Sequence, residues 1–86
     1  MPRILIVEYF PDWKKLIQGQ FERIGLEGKI DLADCYITAT AFVETMQKYG
    51  GYNFHVLDSH FPRYAGSGKQ GGRHVEYLGL QLAHEI

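Results

Sequence analysis

Hydrophobic and polar positions alternate in three different rhythms along the chain. Arg3 to Val7 (RILIV) is a short unbroken apolar run of mostly β-branched residues. With no polar alternation it predicts a strand covered on both faces, as in a parallel sheet. Pro11 and Asp12 then mark a turn and a helix start. Trp13, Leu16, Ile17, Phe21 and Ile24 follow at steps of three and four, with Lys14, Lys15, Gln18 and Glu22 on the other side. This is the pattern of an amphipathic helix, and Gly25 and Gly28 fit its C-terminal stop.

Lys29 to Cys35 (KIDLADC) alternates Ile30 and Leu32 with Asp31 and Asp34 and predicts a weaker, edge-type strand. A second helix is expected from a cap at Thr38 to about Tyr49, with Ala41, Phe42, Thr45 and Met46 on its buried side. Gly50 and Gly51 end it. Asn53 to Asp58 (NFHVLD) is the third strand. Residues 63–72 are polar and hold Gly66, Gly68, Gly71 and Gly72, the composition of a long loop inserted in the domain. Val75, Leu78, Leu82 and Ile86 return to steps of three and four and predict a third helix. The order is βαβαβα. Strands alternating with amphipathic helices imply parallel pairing through right-handed crossovers, in one α/β domain over residues 1–86.

In such a sheet, chemistry gathers beyond the carboxyl ends of the strands. Glu8 directly follows the first strand and Asp58 ends the third. In a sheet ordered 2-1-3 the two acids meet at one rim. Like charges at that distance raise a pKa or recruit a cation, and hard oxygen ligands suit Mg2+. The residues alone leave a second reading open, in which both acids are solvated strand ends.

Composition narrows the classes. The chain has 86 residues, 45% of them hydrophobic and 22% charged, which suits one small globular domain and argues against disorder. A net charge of −1 with scattered basic residues excludes the basic face that nucleic-acid binding needs. The single cysteine, Cys35, has no internal disulfide partner and suits a reducing cytoplasm. The first apolar run is far too short for a secretion signal or a membrane span, so no membrane association is expected. Gly66, Gly68 and Gly71 spell G-x-G-x-x-G, but they do not directly follow a strand. The P-loop-like AGSGKQ has Arg63 and Gln70 where that motif needs Gly and Ser or Thr. A flexible linker fits this segment better. His55, His60, His74 and His84 show no metal-ligand spacing.

ILIVEYFPDWKKLIQ resembles the first strand and helix of response-regulator receiver domains, where ILIVEDDP is a common opening. GYNFHVLDSHFPR is similar to their third strand, YDLVLLDxxMPx, and GLQLAHEI to the GLELLREI of their third helix. The likeness spans nearly the whole chain apart from the glycine-rich insert. It implies a flavodoxin-like three-layer fold with a parallel sheet ordered 2-1-3, incomplete relative to the five-stranded receiver. It implies a two-component signalling module in which Asp58 accepts a phosphoryl group from a histidine kinase or phosphotransfer protein. Glu8, Asp58 and the backbone carbonyl of His60 then serve Mg2+, and Pro62 shapes the loop after the phosphoacceptor. No enzymatic activity beyond self-phosphorylation and dephosphorylation is implied, and the location is cytoplasmic.

Two departures qualify these expectations. Tyr9 stands where the family has a second metal-binding acid, so Mg2+ binding is expected to be weak or lost. Tyr9 either caps the core edge or covers the metal pocket. The family's signalling Thr or Ser and its phosphate-binding lysine belong to a fourth and a fifth strand that this sequence does not contain, and Lys69 is not that lysine. A phosphorylation-independent pseudo-receiver, acting as a protein-interaction or oligomerisation module, is the alternative. An aspartate-nucleophile phosphatase would need an acid where His60 stands. If these 86 residues are the whole protein, the third strand is an uncovered sheet edge and is expected to pair in a homodimer or swapped assembly; the alternative is that the chain is a piece of a longer receiver.

Overall fold

A computed structural model describes residues 2–25, 29–65 and 75–86. Three parallel strands, β1 (Arg3–Val7), β2 (Lys29–Ala33) and β3 (Phe54–Leu57), form a sheet ordered β2-β1-β3. This is the α/β architecture and strand order expected, an incomplete flavodoxin-like fold. The register places Ile4 beside Ile30 and Phe54, and Val7 beside Ala33 and Leu57. Helices α1 (Pro11–Arg23) and α2 (Tyr36–Gln47) cross the sheet, and α3 (Gly79–Glu85) closes the described chain. Gly50 and Gly51 end α2 at φ of +92° and +82°, a backbone region that glycine enters without a Cβ penalty.

The central strand is buried from Ile4 to Val7, as its unbroken apolar run requires. Leu5 and Val7 face a core made with Ala33, Ala39, Phe61, Leu78 and Leu82, onto which Phe42, Val43, Tyr52 and Leu57 also pack. Ile4 and Ile6 point to the opposite face by strand alternation. There α1 lies over β1, and its Phe21 ring meets Phe54 at 6.3 Å between centroids.

Three expected details differ. The third helix begins at Gly79, not Val75. Val75–Glu76 is a short strand, β5, paired antiparallel with β4 (Phe61–Pro62), and this second sheet carries the buried Phe61 into the core. The Val75–Leu78 spacing fits a helix, but cross-strand pairing takes Val75 instead. α2 starts at Tyr36 with Cys35 as its N-cap residue, before Thr38, and the Cys35 thiol donates to the Thr38 hydroxyl at 3.1 Å. The face that meets the core is that of Ala39, Phe42 and Val43, and Ala41 and Thr45 are exposed.

The third difference is in α1. No residue of this helix is buried, and Trp13, Leu16 and Ile24 of its apolar stripe are exposed. The sheet takes only the flank carrying Ile17 and Phe21. Within the glycine-rich insert, Gly66, Gly68, Lys69, Gln70, Gly71 and Gly72 lie outside the described residues, as do Gly28 and His74. Among the described residues no helix is long and apolar enough to cross a membrane.

Candidate functional site

The two acids are delivered by the sheet itself. The Glu8 amide donates to the Ala33 carbonyl at 2.9 Å, extending the β1–β2 ladder one residue past Val7. The Asp58 amide donates to the Val7 carbonyl at 3.0 Å, doing the same for β3. Both carboxyl groups therefore leave the sheet at the same rim, and they lie within hydrogen-bond reach of each other. Glu8 is only 7% exposed, while Asp58 is half-buried.

A hydrogen bond between two carboxyl groups needs a proton. Burial, reinforced by that bond and by the negative charge of Asp58, raises the Glu8 pKa above its ordinary value. The Phe10 amide pulls the other way, donating to Glu8 Oε2 at 3.3 Å. One oxygen of Asp58 is already engaged, since Oδ1 accepts the Ser59 amide at 2.8 Å. Its second oxygen is not engaged by that amide.

A cavity of about 580 Å3 opens in front of this pair, lined by Glu8, Phe10, Trp13, Asp58 and His60. The His60 ring is oriented on both sides. Its Nδ1 meets the Ser59 hydroxyl at 2.8 Å, and its ring centroid lies 3.8 Å from that of Tyr77, the two rings tilted by 54°. Pro62 is buried in β4, anchoring the loop after Asp58 from its far end. Tyr9 does not line the cavity; it packs against the core and meets Phe10 edge-on at 5.1 Å. Of the two roles open to it, the structure gives it the core edge. The aromatic wall of the cavity is Phe10 and Trp13, and Trp13 is not the core residue that its helical spacing suggests.

Sequence reasoning missed a second contact on the acid loop. Gly79 opens α3 against the backbone of Asp58 and Ser59. A Cβ there would stand 2.0 Å from the Asp58 carbonyl oxygen and 2.8 Å from Ser59 Cα. The Gly79 amide donates to the Ser59 carbonyl at 3.1 Å, so α3 clamps the loop directly. The signal was a lone glycine inside an apolar periodic stretch, which marks close backbone approach. Tyr77 carried no such signal, because its partnership with His60 depends on the β4–β5 pairing.

Among the described residues, no group of three or more His, Cys, Asp or Glu side chains is placed to share one metal ion. The donor set at the rim is Glu8, Asp58 and backbone oxygen, and no described Lys or Arg lines the cavity. No protein-family model matches the chain, and no curated protein or solved structure matches it. The case for what the site does therefore rests on its geometry and on the motifs around Glu8 and Asp58.

Proposed function

We propose that this domain is a receiver-type signalling module in which Asp58 accepts a phosphoryl group from a phosphohistidine of a kinase or phosphotransfer protein. The observation that carries the proposal is the convergence of Glu8 and Asp58 on one sheet rim, in front of an open cavity. In the step, a carboxylate oxygen of Asp58 attacks phosphorus, the P–N bond breaks, and the histidine leaves with a proton. Asp58 ends as an acyl phosphate.

Mg2+ is held by one or two carboxylates together with waters and phosphate oxygens. Glu8, Asp58 and the His60 carbonyl supply a donor set of that kind, smaller by one acid because Tyr9 is a phenol. Bound there, the ion would neutralise the charge of the incoming phosphoryl oxygens. Glu8 serves as a ligand in its charged form, which its burial and the neighbouring Asp58 disfavour. Ser59 and His60 hold the loop, and Phe10 and Trp13 limit water at one side of the cavity. A cytoplasmic location belongs to this proposal.

The second reading is a pseudo-receiver that acts by protein interaction without phosphorylation. Two observations favour it: the burial of Glu8 beside Asp58, which raises the Glu8 pKa, and the core-packed Tyr9 in place of an acid. Intact-mass measurement after incubation with Mg2+ and acetyl phosphate separates the two. The phosphoacceptor reading expects one phosphoryl adduct on the wild type and none on Asp58→Asn. No adduct on either sinks it and leaves the pseudo-receiver.

A further inference from the structure

Among the described residues the sheet has two open edges, and they differ in chemistry. β2 carries Lys29 and Asp31, charges of the kind that keep an edge strand from pairing. β3 reads Phe-His-Val-Leu, with no lysine, proline or bulge to protect it. None of its residues is buried, and it is paired only with β1. Alternate amides and carbonyls of Phe54–Leu57 therefore face outward with no described strand to receive them.

An apolar surface adjoins that edge on one face of the sheet. Phe54 is 44% exposed, Leu16 52%, Trp13 58%, Ile24 67% and Phe10 50%. Trp13 lines the cavity with Asp58 and His60, the residues that follow β3, so the exposed flank of α1 looks toward β3. Side chains of this size cover roughly 150–250 Å2 each when fully buried, so these five leave about 500 Å2 of apolar surface per copy. A stable interface takes about 800 Å2 from each partner, and the outward backbone of β3 with its flanking residues supplies the remainder.

We infer that this α1–β3 side is an interface between two copies of the chain, joined edge to edge through antiparallel β3 strands. A two-fold axis normal to the sheet gives one continuous sheet of order 2-1-3-3-1-2. It places both α1 helices on the same face, running antiparallel. Strand spacing of about 4.8 Å sets the two helix axes about 10–14 Å apart, a gap that Trp13 and Leu16 from both copies fill. The charges agree with this arrangement. α1 has Asp12 in its first turn and Arg23 in its last, so antiparallel helices set Asp12 of one copy toward Arg23 of the other. A second copy is thus complementary to this face in backbone, shape and charge.

The test is the mass of the purified full chain by sedimentation equilibrium up to about 100 μM, beyond the dissociation constants of standard-sized interfaces. The expected result is a dimer of the 9.9 kDa chain that weakens at least tenfold in Leu16→Lys and in Val56→Lys. Leu80→Lys, on α3 away from this face, should associate as the wild type does. Leu16 is solvent-exposed on a helix, so its variant keeps the fold even if Val56→Lys does not. Hydrogen exchange of the wild type should show the Phe54–Leu57 amides more protected at high concentration than at low. A monomer at every concentration, a dimer indifferent to Leu16→Lys, or a dimer without protection of β3 would each overturn the inference. A chain whose apolar face is covered by a different protein or segment gives the first of these outcomes.

Discussion

Replacing Gly79 by alanine tests how tightly α3 holds the acid loop. The added Cβ would lie 2.0 Å from the Asp58 carbonyl oxygen and 2.9 Å from its carbon. Ordinary contact needs well over 3 Å, so the start of α3 must retreat by more than 1 Å. Leu78 and Leu82, buried on either side of Gly79, must move with it. Overpacking of this kind costs about 1–3 kcal/mol. Losing the Gly79–Ser59 backbone hydrogen bond adds about 1 kcal/mol. Alanine's helix preference returns less than 1 kcal/mol, because the position is the first of the helix. The net expectation is a loss of about 2–3 kcal/mol, a large share of the stability of an 86-residue domain. Gly19 provides the contrast: it lies inside α1 with nothing within 4 Å of its would-be Cβ. Gly19→Ala should therefore stabilise by roughly 0.5–1 kcal/mol. Urea unfolding followed by circular dichroism measures both. With a slope of about 1–1.5 kcal/mol/M for so small a chain, the Gly79→Ala midpoint should fall by about 2 M. A Gly79→Ala midpoint within error of wild type would show that α3 does not clamp the loop.

Glu8 predicts a pH dependence. A carboxyl whose pKa is raised in the folded state binds its proton more tightly there than in the unfolded chain. Its contribution to stability therefore falls as pH rises from the ordinary value of 4.5 through the raised one. Glu8→Gln should match the wild type near pH 4 and gain on it toward neutrality, read from urea midpoints across that range; parallel profiles would refute a raised pKa at the buried Glu8. Tyr9→Asp replaces a core-edge ring next to Glu8 by an acid that reaches the cavity only by turning away from the core; under the proposed function it should tighten Mg2+ binding at least tenfold, followed by the fluorescence of Trp13, the single tryptophan, in the cavity wall. Unchanged affinity would show that Tyr9 is not what weakens the site.

The core strand and the acid pair were legible in the sequence because both depend on short-range patterns. An unbroken apolar run identifies β1 as central, and an acid placed directly after a strand is carried to the rim wherever that strand goes. The β4–β5 pairing was not legible. Phe61–Pro62 and Val75–Glu76 are two residues each, too short for a period, and the chain between them is glycine-rich. The exposure of Trp13, Leu16 and Ile24 was hidden for a different reason. Periodicity reports that a helix has an apolar stripe, but not whether the sheet beneath is wide enough to cover it. Gly79 was visible as a residue, yet its role depends on a loop twenty positions earlier in the chain.

The segment from Glu8 to Trp13 joins the proposed chemistry to the proposed interface. A phosphoryl group on Asp58 would put further negative charge beside Glu8, in a cavity whose described walls contain no Lys or Arg. That repulsion must be relieved by a cation or by movement of Glu8. Movement has a defined route, because Glu8 Oε2 accepts the Phe10 amide and Phe10 begins the exposed apolar flank continued by Trp13. The same flank is the one argued to meet a second copy. Any free energy by which phosphorylation shifts dimerisation must then equal that by which dimerisation shifts phosphorylation, since linkage between two equilibria is reciprocal. Under the proposed function, the chain would in this way answer the charge on Asp58 with the geometry of its own α1.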